Sequence, residues 1–370
     1  MMSDMCDQLV LVTGASGYIG SHVIKELQVA GYRVRGTVRS LKIEEKVAPL
    51  RQLVPDARHP LELVEADLTQ DKGWDQAVAG CWAVMHVASH LPHLTDQILE
   101  EEFMATTVGG VMRVLRASAA AGVKKMIITG SFTNVNCDPV PYQDKSYTED
   151  DWTDLNHPNL SPYGKSKTMA EKAAWDFVRN LPDSKRMDLT VLLPTLVLGP
   201  PLLRSHGSTG CVGFINMILN RTYPGMPHII NIIVDVRDVA KAHVQCLTTP
   251  EVVGQRILLH SHTHWAQDLS RIISKEFSSQ GYRVYTNKIP YVAFWFLSFF
   301  NSKIEELGLL GRIGTKYDVS NEKMKRIFNM TPIEESKTII DMVYAMIDLG
   351  ITYKAKNYRK TGSRTTGNST

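Results

Sequence analysis

Gln8-Leu-Val-Leu-Val-Thr-Gly14 runs directly into Ala15-Ser-Gly-Tyr-Ile-Gly20. The first part is a short apolar run ending in glycine, which predicts a strand buried on both faces. Residues 18–30 then repeat apolar positions at helical spacing, and Gly31 closes the helix. Gly14, Gly17 and Gly20 stand between them as G-x-x-G-x-x-G. Such a turn needs positive φ or missing side chains, so that backbone can approach a pyrophosphate. The helix that follows offers unpaired N–H groups and the positive end of its dipole to that anion. Strand, glycine turn and helix in this order predict a dinucleotide site.

The rest of the first half keeps the same rhythm. Further strands are predicted at residues 33–39 (RVRGTVR), 61–68 (LELVEADL), 83–89 (AVMHVAS), 124–131 (KKMIITGS) and 189–198 (LTVLLPTLVL). Helical patterns fall between them at 42–53, 74–79 and 100–121. This alternation predicts an α/β fold, a doubly wound parallel sheet covered on both faces. After residue 200, Gly and Pro punctuate 199–227, which reads as substrate-side loops. Helices are expected at 235–246, 264–277, 289–300, 319–328 and 333–349. The expected organisation is a dinucleotide-binding domain over 1–200, with 228–262 returning to it. A smaller, mostly helical substrate-binding region spans 201–227 and 263–352. The polar, basic tail over 353–370 is expected to be disordered.

The chain has 370 residues, 44% of them hydrophobic, enough for one large domain with an annex. Its net charge of +3 is too small to imply a nucleic-acid partner. The five cysteines, Cys6, Cys81, Cys137, Cys211 and Cys246, show no metal-like spacing, so no metal is expected and reduced thiols in a reducing compartment are. The N-terminal residues lack a basic n-region, and the expected location is cytoplasmic. Residues 291–300 (YVAFWFLSFF) are much shorter than the ~20 residues that span a bilayer. They suit a core helix or an aromatic wall for an apolar substrate, with a membrane-surface helix as the alternative. A small-molecule substrate and a monomer or homodimer are expected.

Ligands of such sheets lie beyond the carboxyl ends of the strands. The second strand ends at Arg39, with Lys46 beyond and no acid directly after it. An acid there would accept from the ribose of NAD, whereas a cation suits the extra phosphate of NADP, so NADP(H) is expected over NAD(H). Asp67 and Leu68 end the third strand, placed to meet an adenine edge. Val87, Ala88 and Ser89 end the fourth and would run beneath the cofactor. Tyr163 precedes Lys167 by four residues within SPYGKSKTMAEKAAWDFV (161–178), so both side chains lie on one helical face. A free phenol titrates near pH ~10, and a neighbouring ammonium would bring it closer to neutrality. Such a tyrosine exchanges a proton with an alcohol or alkoxide.

The set VTGASGYIGSHV (12–23), GTVRS (36–40), EADL (65–68), MHVAS (85–89), ITGS (128–131), YGKSKTMAEKAAW (163–175), LLPTLVLGP (192–200) and VDVRDVAKAH (234–243) resembles the extended short-chain dehydrogenase/reductase superfamily. The likeness is greatest to dihydroflavonol-reductase-like carbonyl reductases, in the NAD-dependent epimerase/dehydratase family, and reaches to about residue 352. It implies a Rossmann-type fold and a catalytic set of Ser131, Tyr163 and Lys167. Ser131 would orient the substrate carbonyl, Tyr163 would protonate the alkoxide, and Lys167 would lower the tyrosine pKa and hold the nicotinamide ribose. The implied cofactor contacts are Gly14, Gly17, Tyr18, Ile19, Gly20, Arg39, Lys46, Asp67, Leu68, Val87, Ala88, Ser89, Tyr163, Lys167, Pro194 and Val197. Thr195 and Leu196 fall in the same nicotinamide-side loop, and Ser208 or Thr209 would close the site.

Two departures bear on the substrate. Plant flavonoid reductases read Thr-Ser-Ser-Ala where this chain has Thr129-Gly-Ser-Phe132, so Phe132 is expected to reshape the pocket. Asn136 matches a position that touches the flavonoid. The Trp-Tyr-Cys-Tyr tract of cinnamoyl-CoA reductases is Leu160-Ser-Pro-Tyr163 here, which argues against a CoA ester. The expected activity is NADP(H)-dependent interconversion of a ketone or aldehyde with an alcohol. A hydroxysteroid dehydrogenase or a sugar-nucleotide epimerase, with Arg204 and Arg221 meeting the diphosphate, stays open beside it. A dehydratase would want an acid near Ser131, where Phe132-Thr133 offers none. A non-catalytic dinucleotide sensor is disfavoured because both Tyr163 and Lys167 are present.

Overall fold

The computed structural model describes residues 7–89, 100–137, 145–157, 160–208, 210–298 and 310–360. The strands are β1 (Leu9–Val12), β2 (Arg33–Val38), β3 (Glu62–Glu65), β4 (Ala83–His86), β5 (Lys125–Thr129), β6 (Ser146–Tyr147), β7 (Asp188–Pro194), β8 (Leu196–Leu198), β9 (Ile230–Asp235), β10 (Arg256–Leu259), β11 (His262–Trp265) and β12 (Asp318–Val319). The helices are α1 (Tyr18–Val29), α2 (Glu44–Arg51), α3 (Trp74–Val78), α4 (Glu100–Ala120), α5 (Pro162–Arg179), α6 (Gly210–Leu219), α7 (Val236–Gln245), α8 (Ala266–Phe277), α9 (Tyr291–Ser298), α10 (Glu322–Phe328) and α11 (Glu335–Asp348).

Seven parallel strands form the main sheet in the order β10-β7-β5-β4-β1-β2-β3. The chain winds outward from β1 to β3, then returns to β4 and winds the other way. The reversal leaves a crevice at the carboxyl ends of β1 and β4, where ligands of doubly wound sheets bind. Pleating sends alternate residues of β1 into two cores. Val10 and Val12 join Val23, Ile24 and Leu27 of α1 on one face. Leu9 and Leu11 join Val114 and Leu115 of α4 on the other. Every residue of β1 is therefore buried, as the unbroken apolar run predicts. The fold is Rossmann-type α/β.

The fold departs from the sequence reading in two places. The strand expected over 189–198 is two strands in different sheets, because Thr195 breaks away between them and gives both its N–H and its hydroxyl to the Leu259 carbonyl. β7 stays in the main sheet, whereas β8 joins β9 and β11 in a three-stranded sheet. Residues 228–262, expected to return to the first domain, hold β9 and β10, and β10 forms the edge of the main sheet beside β7. Finally, residues 353–360, expected to belong to a disordered tail, pack on the end of α8. Tyr282 donates to the Tyr353 carbonyl at 3.1 Å, its hydroxyl accepts from the Ala355 N–H at 3.1 Å, and the Arg359 N–H donates to Gln280 at 3.0 Å. Apolar tyrosine rings anchor a segment whose composition is otherwise polar. Residues 361–370 lie outside the described residues.

Candidate functional site

The glycine turn is built by close contacts that exclude side chains. Gly14 has φ of +72°, and a Cβ there would stand 3.1 Å from both Cα and Cβ of Ala88. A Cβ on Gly20 would lie 2.3 Å from the Gly14 carbonyl oxygen, an impossible approach. Gly17 caps α1 with no side chain over the helix end. Thr37 holds the turn from β2: its hydroxyl accepts from the Gly14 N–H at 3.0 Å, and its carbonyl accepts from Ala15 at 2.9 Å. Thr13 ties the turn to β4, accepting from the Ala88 N–H at 3.0 Å and pairing with His86 Nδ1 at 2.9 Å. Burial, helped by the Lys167 charge, pushes His86 down to about 3, so it is neutral. These bonds leave a helix N-terminus bare of side chains at the crevice, a cradle of the kind a pyrophosphate needs.

Other residues expected at the cofactor are spread around this crevice. Arg39 is exposed just past β2, and Lys46 is half-buried in the first turn of α2. Glu65 of β3, opposite Val38, is committed to the Leu41 N–H at 2.7 Å. Asp67 spends one carboxylate oxygen on the Thr69 N–H and hydroxyl. Leu68 packs against Gly110 of α4. Val87, Ala88 and Ser89 follow β4, half-buried, and the Ser89 hydroxyl is a buried oxygen without a partner among the described residues. Pro194 ends β7 opposite Leu259, and Val197 lies in β8 opposite Val234. Ile19 is half-buried in the first turn of α1. Tyr18 turns inward instead. Its hydroxyl donates to the Gly199 carbonyl at 2.7 Å, its ring meets His22 and His206 edge-on, and burial pushes its pKa well up. Only its backbone can serve an anion at the helix end.

The residues expected to handle the proton come from the end of β5 and from α5. Ser161 starts α5 by accepting from the Gly164 N–H at 3.1 Å, with Pro162 pre-set in the first turn. This places Tyr163 at the helix entrance and Lys167 one turn on. Gly164 sits against Cys137, where a Cβ would strike Sγ at 2.2 Å, so the 132–137 turn presses on the start of α5. Ser131, at the end of β5, accepts from the Thr133 N–H at 3.2 Å and hydrogen-bonds the Tyr163 hydroxyl. Lys167, buried, donates from Nζ to the Thr129 carbonyl at 3.2 Å.

The electrostatics differ from the sequence reading in one respect. Tyr163 was expected to be lowered by Lys167. Burial instead pushes it up to about 12, the Ser131 hydrogen bond pulls it down, and Cys211 and Cys137 add to the rise. The lysine is aimed at the Thr129 carbonyl, and burial is the dominant influence on the phenol. Lys167 itself is brought down to about 8 by burial, against the charge of Glu171.

The two substrate-side expectations fall in the core. Phe132 is buried, stacked on Tyr317 with ring centres 6.5 Å apart and edge-on to Tyr147. Asn136 is also buried. Of 291–300, Phe294 is buried beside Ile289, while Tyr291, Val292, Trp295 and Phe296 are exposed. Phe299 and Phe300 lie outside the described residues. Among the described residues no helix is long and apolar enough to cross a membrane. Thr209 lies outside the described residues, and Ser208 ends a 3-10 turn.

Sequence reasoning passed over a buried ion pair next to this site. Glu171 of α5 and Arg256 of β10 meet at 2.6 Å, and Glu171 also accepts from Asn134 at 2.7 Å and Trp175 at 3.1 Å. Two signals were available: an acid four residues after Lys167, and a lone arginine opening the apolar run Arg256-Ile-Leu-Leu259.

The profile of the NAD dependent epimerase/dehydratase family matches residues 10–258. Dihydroflavonol 4-reductase of Hordeum vulgare is 32% identical over 274 residues, covering 72% of this chain and 75% of the relative. Cinnamoyl-CoA reductase 1 of Arabidopsis thaliana is 34% identical over 306 residues, covering 81% and 84%. Among solved structures, Gre2 of Candida albicans in complex with NADPH superposes with a TM-score of 0.75 at 26% identity, over 92% of this chain and 99% of that one. The chain therefore belongs to the NAD-dependent epimerase/dehydratase family, and within it is an oxidoreductase.

Proposed function

We propose that the protein is an NADP(H)-dependent oxidoreductase that interconverts a ketone or aldehyde with an alcohol, using Ser131, Tyr163 and Lys167. The observation that carries this reading is the hydrogen bond between the Ser131 and Tyr163 hydroxyls at the carboxyl end of β5, with Lys167 buried alongside. The bare turn at Gly14, Gly17 and Gly20 fits a dinucleotide pyrophosphate, and Arg39 fits the 2′-phosphate of NADP. The NADPH complex of the related Gre2 supports the same cofactor. When bound, the cofactor supplies or accepts the hydride.

The chain's own residues handle the rest. Ser131 donates to the substrate carbonyl oxygen and fixes its orientation. As negative charge develops there, Tyr163 transfers its proton to that oxygen. A phenol near 12 is held protonated at neutral pH, which suits it to act as the acid in carbonyl reduction. Lys167, still charged below about pH 8, stabilises the tyrosinate left behind and is the residue to hold the nicotinamide ribose. In alcohol oxidation the same groups run in reverse, with Tyr163 taking the hydroxyl proton.

The test is nicotinamide absorbance during incubation of NADPH with a panel of ketones and aldehydes. Wild-type protein should turn over at least one of them. Tyr163→Phe should lose on the order of a hundredfold or more in kcat while still binding NADPH. A Phe variant as active as wild type would sink the mechanism, and tight NADPH binding without turnover on any carbonyl would favour a sensor.

A further inference from the structure

We propose that Glu171 is a positioning residue for the proton-handling site, its carboxylate setting the charge state of Lys167 and fixing, through Asn134, the turn that carries Ser131. The inference rests on the reading above that Lys167 and Ser131 serve the reaction.

The geometry makes Glu171 a junction between three elements. Its side chain is 1% exposed. One oxygen accepts from Arg256 Nε at 2.6 Å and from Trp175 at 3.1 Å. The other accepts from Asn134 Nδ2 at 2.7 Å and Arg256 Nη2 at 3.2 Å. Asn134 closes the short 3-10 turn that Ser131 caps, and its backbone N–H donates to the Ser131 carbonyl at 2.9 Å. Glu171 thus reaches the serine turn on one side. On the other it lies one helical turn from Lys167, on the same face of α5.

Arg256 is itself tightly held. It stacks over Trp152 at 3.6 Å, donates to the Asp151 carbonyl at 2.8 Å and also bonds the Glu149 carbonyl. A carboxylate placed this way cannot swing. Lys167, Glu171, Asn134, His86, Thr129 and Ser89 all line one small cavity. Lys167 and Glu171 are both buried, so their charges are poorly screened and Glu171 acts on Lys167 more strongly than it would across water. Among the described residues, the charged and titratable groups around Lys167 are Tyr163 and Glu171 of its own helix, His86 of β4, Arg256 of β10 and His243 of α7, which pairs with the Thr129 hydroxyl and is held neutral by burial; β5 offers the Thr129 carbonyl, and α4 contributes the uncharged Thr107 and Val111 to the cavity. His86, held neutral, does not oppose the lysine charge at neutral pH. Glu171 is the anion of this set that favours the protonated lysine.

A merely structural ion pair would also lower stability when broken, so the test reads the lysine directly. Protein labelled with ¹³C in its lysine side chains is titrated by NMR, with Lys167 assigned from a Lys167→Arg variant. Glu171→Gln should move the Lys167 titration at least half a pH unit lower, and the alkaline limb of kcat/KM should move with it. Glu171→Asp, which keeps the charge, should fall between Gln and wild type. Asn134→Ala, with the carboxylate intact, should lower kcat several-fold and leave the Lys167 titration in place. A Gln variant that folds and titrates like wild type overturns the proposal. If the Gln variant does not fold, a Lys167 titration in the Asp variant identical to wild type overturns it. A Lys167→Met enzyme with undiminished turnover would instead sink the underlying reading of the site, whereas a required Lys167 indifferent to Glu171 removes only this inference.

Discussion

The Lys167 ammonium donates to the carbonyl oxygen of Thr129 across 3.2 Å, tying α5 to the carboxyl end of β5. Ser131 follows Thr129 by two residues, and Tyr163 precedes Lys167 by one helical turn. One hydrogen bond therefore fixes the strand that carries the serine against the helix that carries the tyrosine. The arrangement has a cost, because the lysine charge is buried and, among the described residues, donates to a single carbonyl.

That cost predicts a pH dependence of stability. Burial lowers Lys167 from 10.5 to about 8, so between those values the unfolded chain binds the proton that the folded one has released. Stability from this group then rises with pH, by up to about 1.4 kcal/mol per unit, across that window. Lys167→Met should remove the rise. Urea unfolding of both proteins at pH 7.5, 8.5 and 9.5 checks it: the stability of the wild type relative to the variant should increase with pH.

The glycine turn predicts a graded series. At Gly20 a Cβ would stand 2.3 Å from the Gly14 oxygen, and backbone cannot yield as a flexible side chain can. Gly20→Ala should cost at least about 1–3 kcal/mol through overpacking and abolish dinucleotide binding. Gly80→Ala is the control, since nothing lies within 4 Å of its Cβ position, although its φ of +72° still strains an alanine. It should lower stability modestly and leave cofactor affinity unchanged. Fluorescence titration with NADPH beside thermal melts separates the two.

Phe132 carries the third prediction. Its ring stacks on Tyr317 and meets Tyr147 edge-on, all three buried. Truncation to alanine opens a cavity, and Phe132→Ala should destabilise by about 3–5 kcal/mol. If the ring acts only through the core, KM for the carbonyl substrate should stay at the wild-type value, as equilibrium unfolding and steady-state kinetics on the same preparation would show. A large change in KM at nearly unchanged stability would return Phe132 to the pocket wall.

What the sequence made legible follows from how local each signal is. The turn at Gly14–Gly20 and the Ser-Pro start of α5 are written in contiguous residues, so the main sheet, its crevice and the positions of Tyr163 and Lys167 could be read directly. The split at Thr195 was not legible, because Leu196-Val-Leu198 is as apolar as the strand before it; only pairing with β9 separates them. The inward turn of Tyr18 was hidden for a like reason, its partner Gly199 standing 181 residues away. Glu171 and Arg256, 85 residues apart, each look like an ordinary surface charge until the fold buries them together. Phe132 was read toward the pocket because it replaces the alanine of Thr-Ser-Ser-Ala; the aromatic neighbours Tyr147 and Tyr317 that bury its ring are distant in sequence and could not be read from that motif.

The proposed preference for NADP(H) turns on Arg39. It is exposed just beyond β2 and forms no ion pair among the described residues, while Glu65 of the neighbouring strand is occupied by the Leu41 N–H. An unpaired guanidinium at this strand end is available to a phosphate, and a hydrogen bond between charged groups contributes about 1.5–3 kcal/mol. Arg39→Asp should therefore weaken NADPH binding by roughly ten- to a hundredfold, since each 1.4 kcal/mol is a factor of ten. The new carboxylate repels the 2′-phosphate but can accept from a free ribose hydroxyl, so NADH should bind the variant better than it binds wild type. The residue lies on the surface, and the melting temperature should not move. Parallel titrations with NADPH and NADH decide the matter. If NADPH affinity survives the substitution intact, selectivity lies elsewhere, and Lys46, half-buried in the first turn of α2, is the next cation to replace.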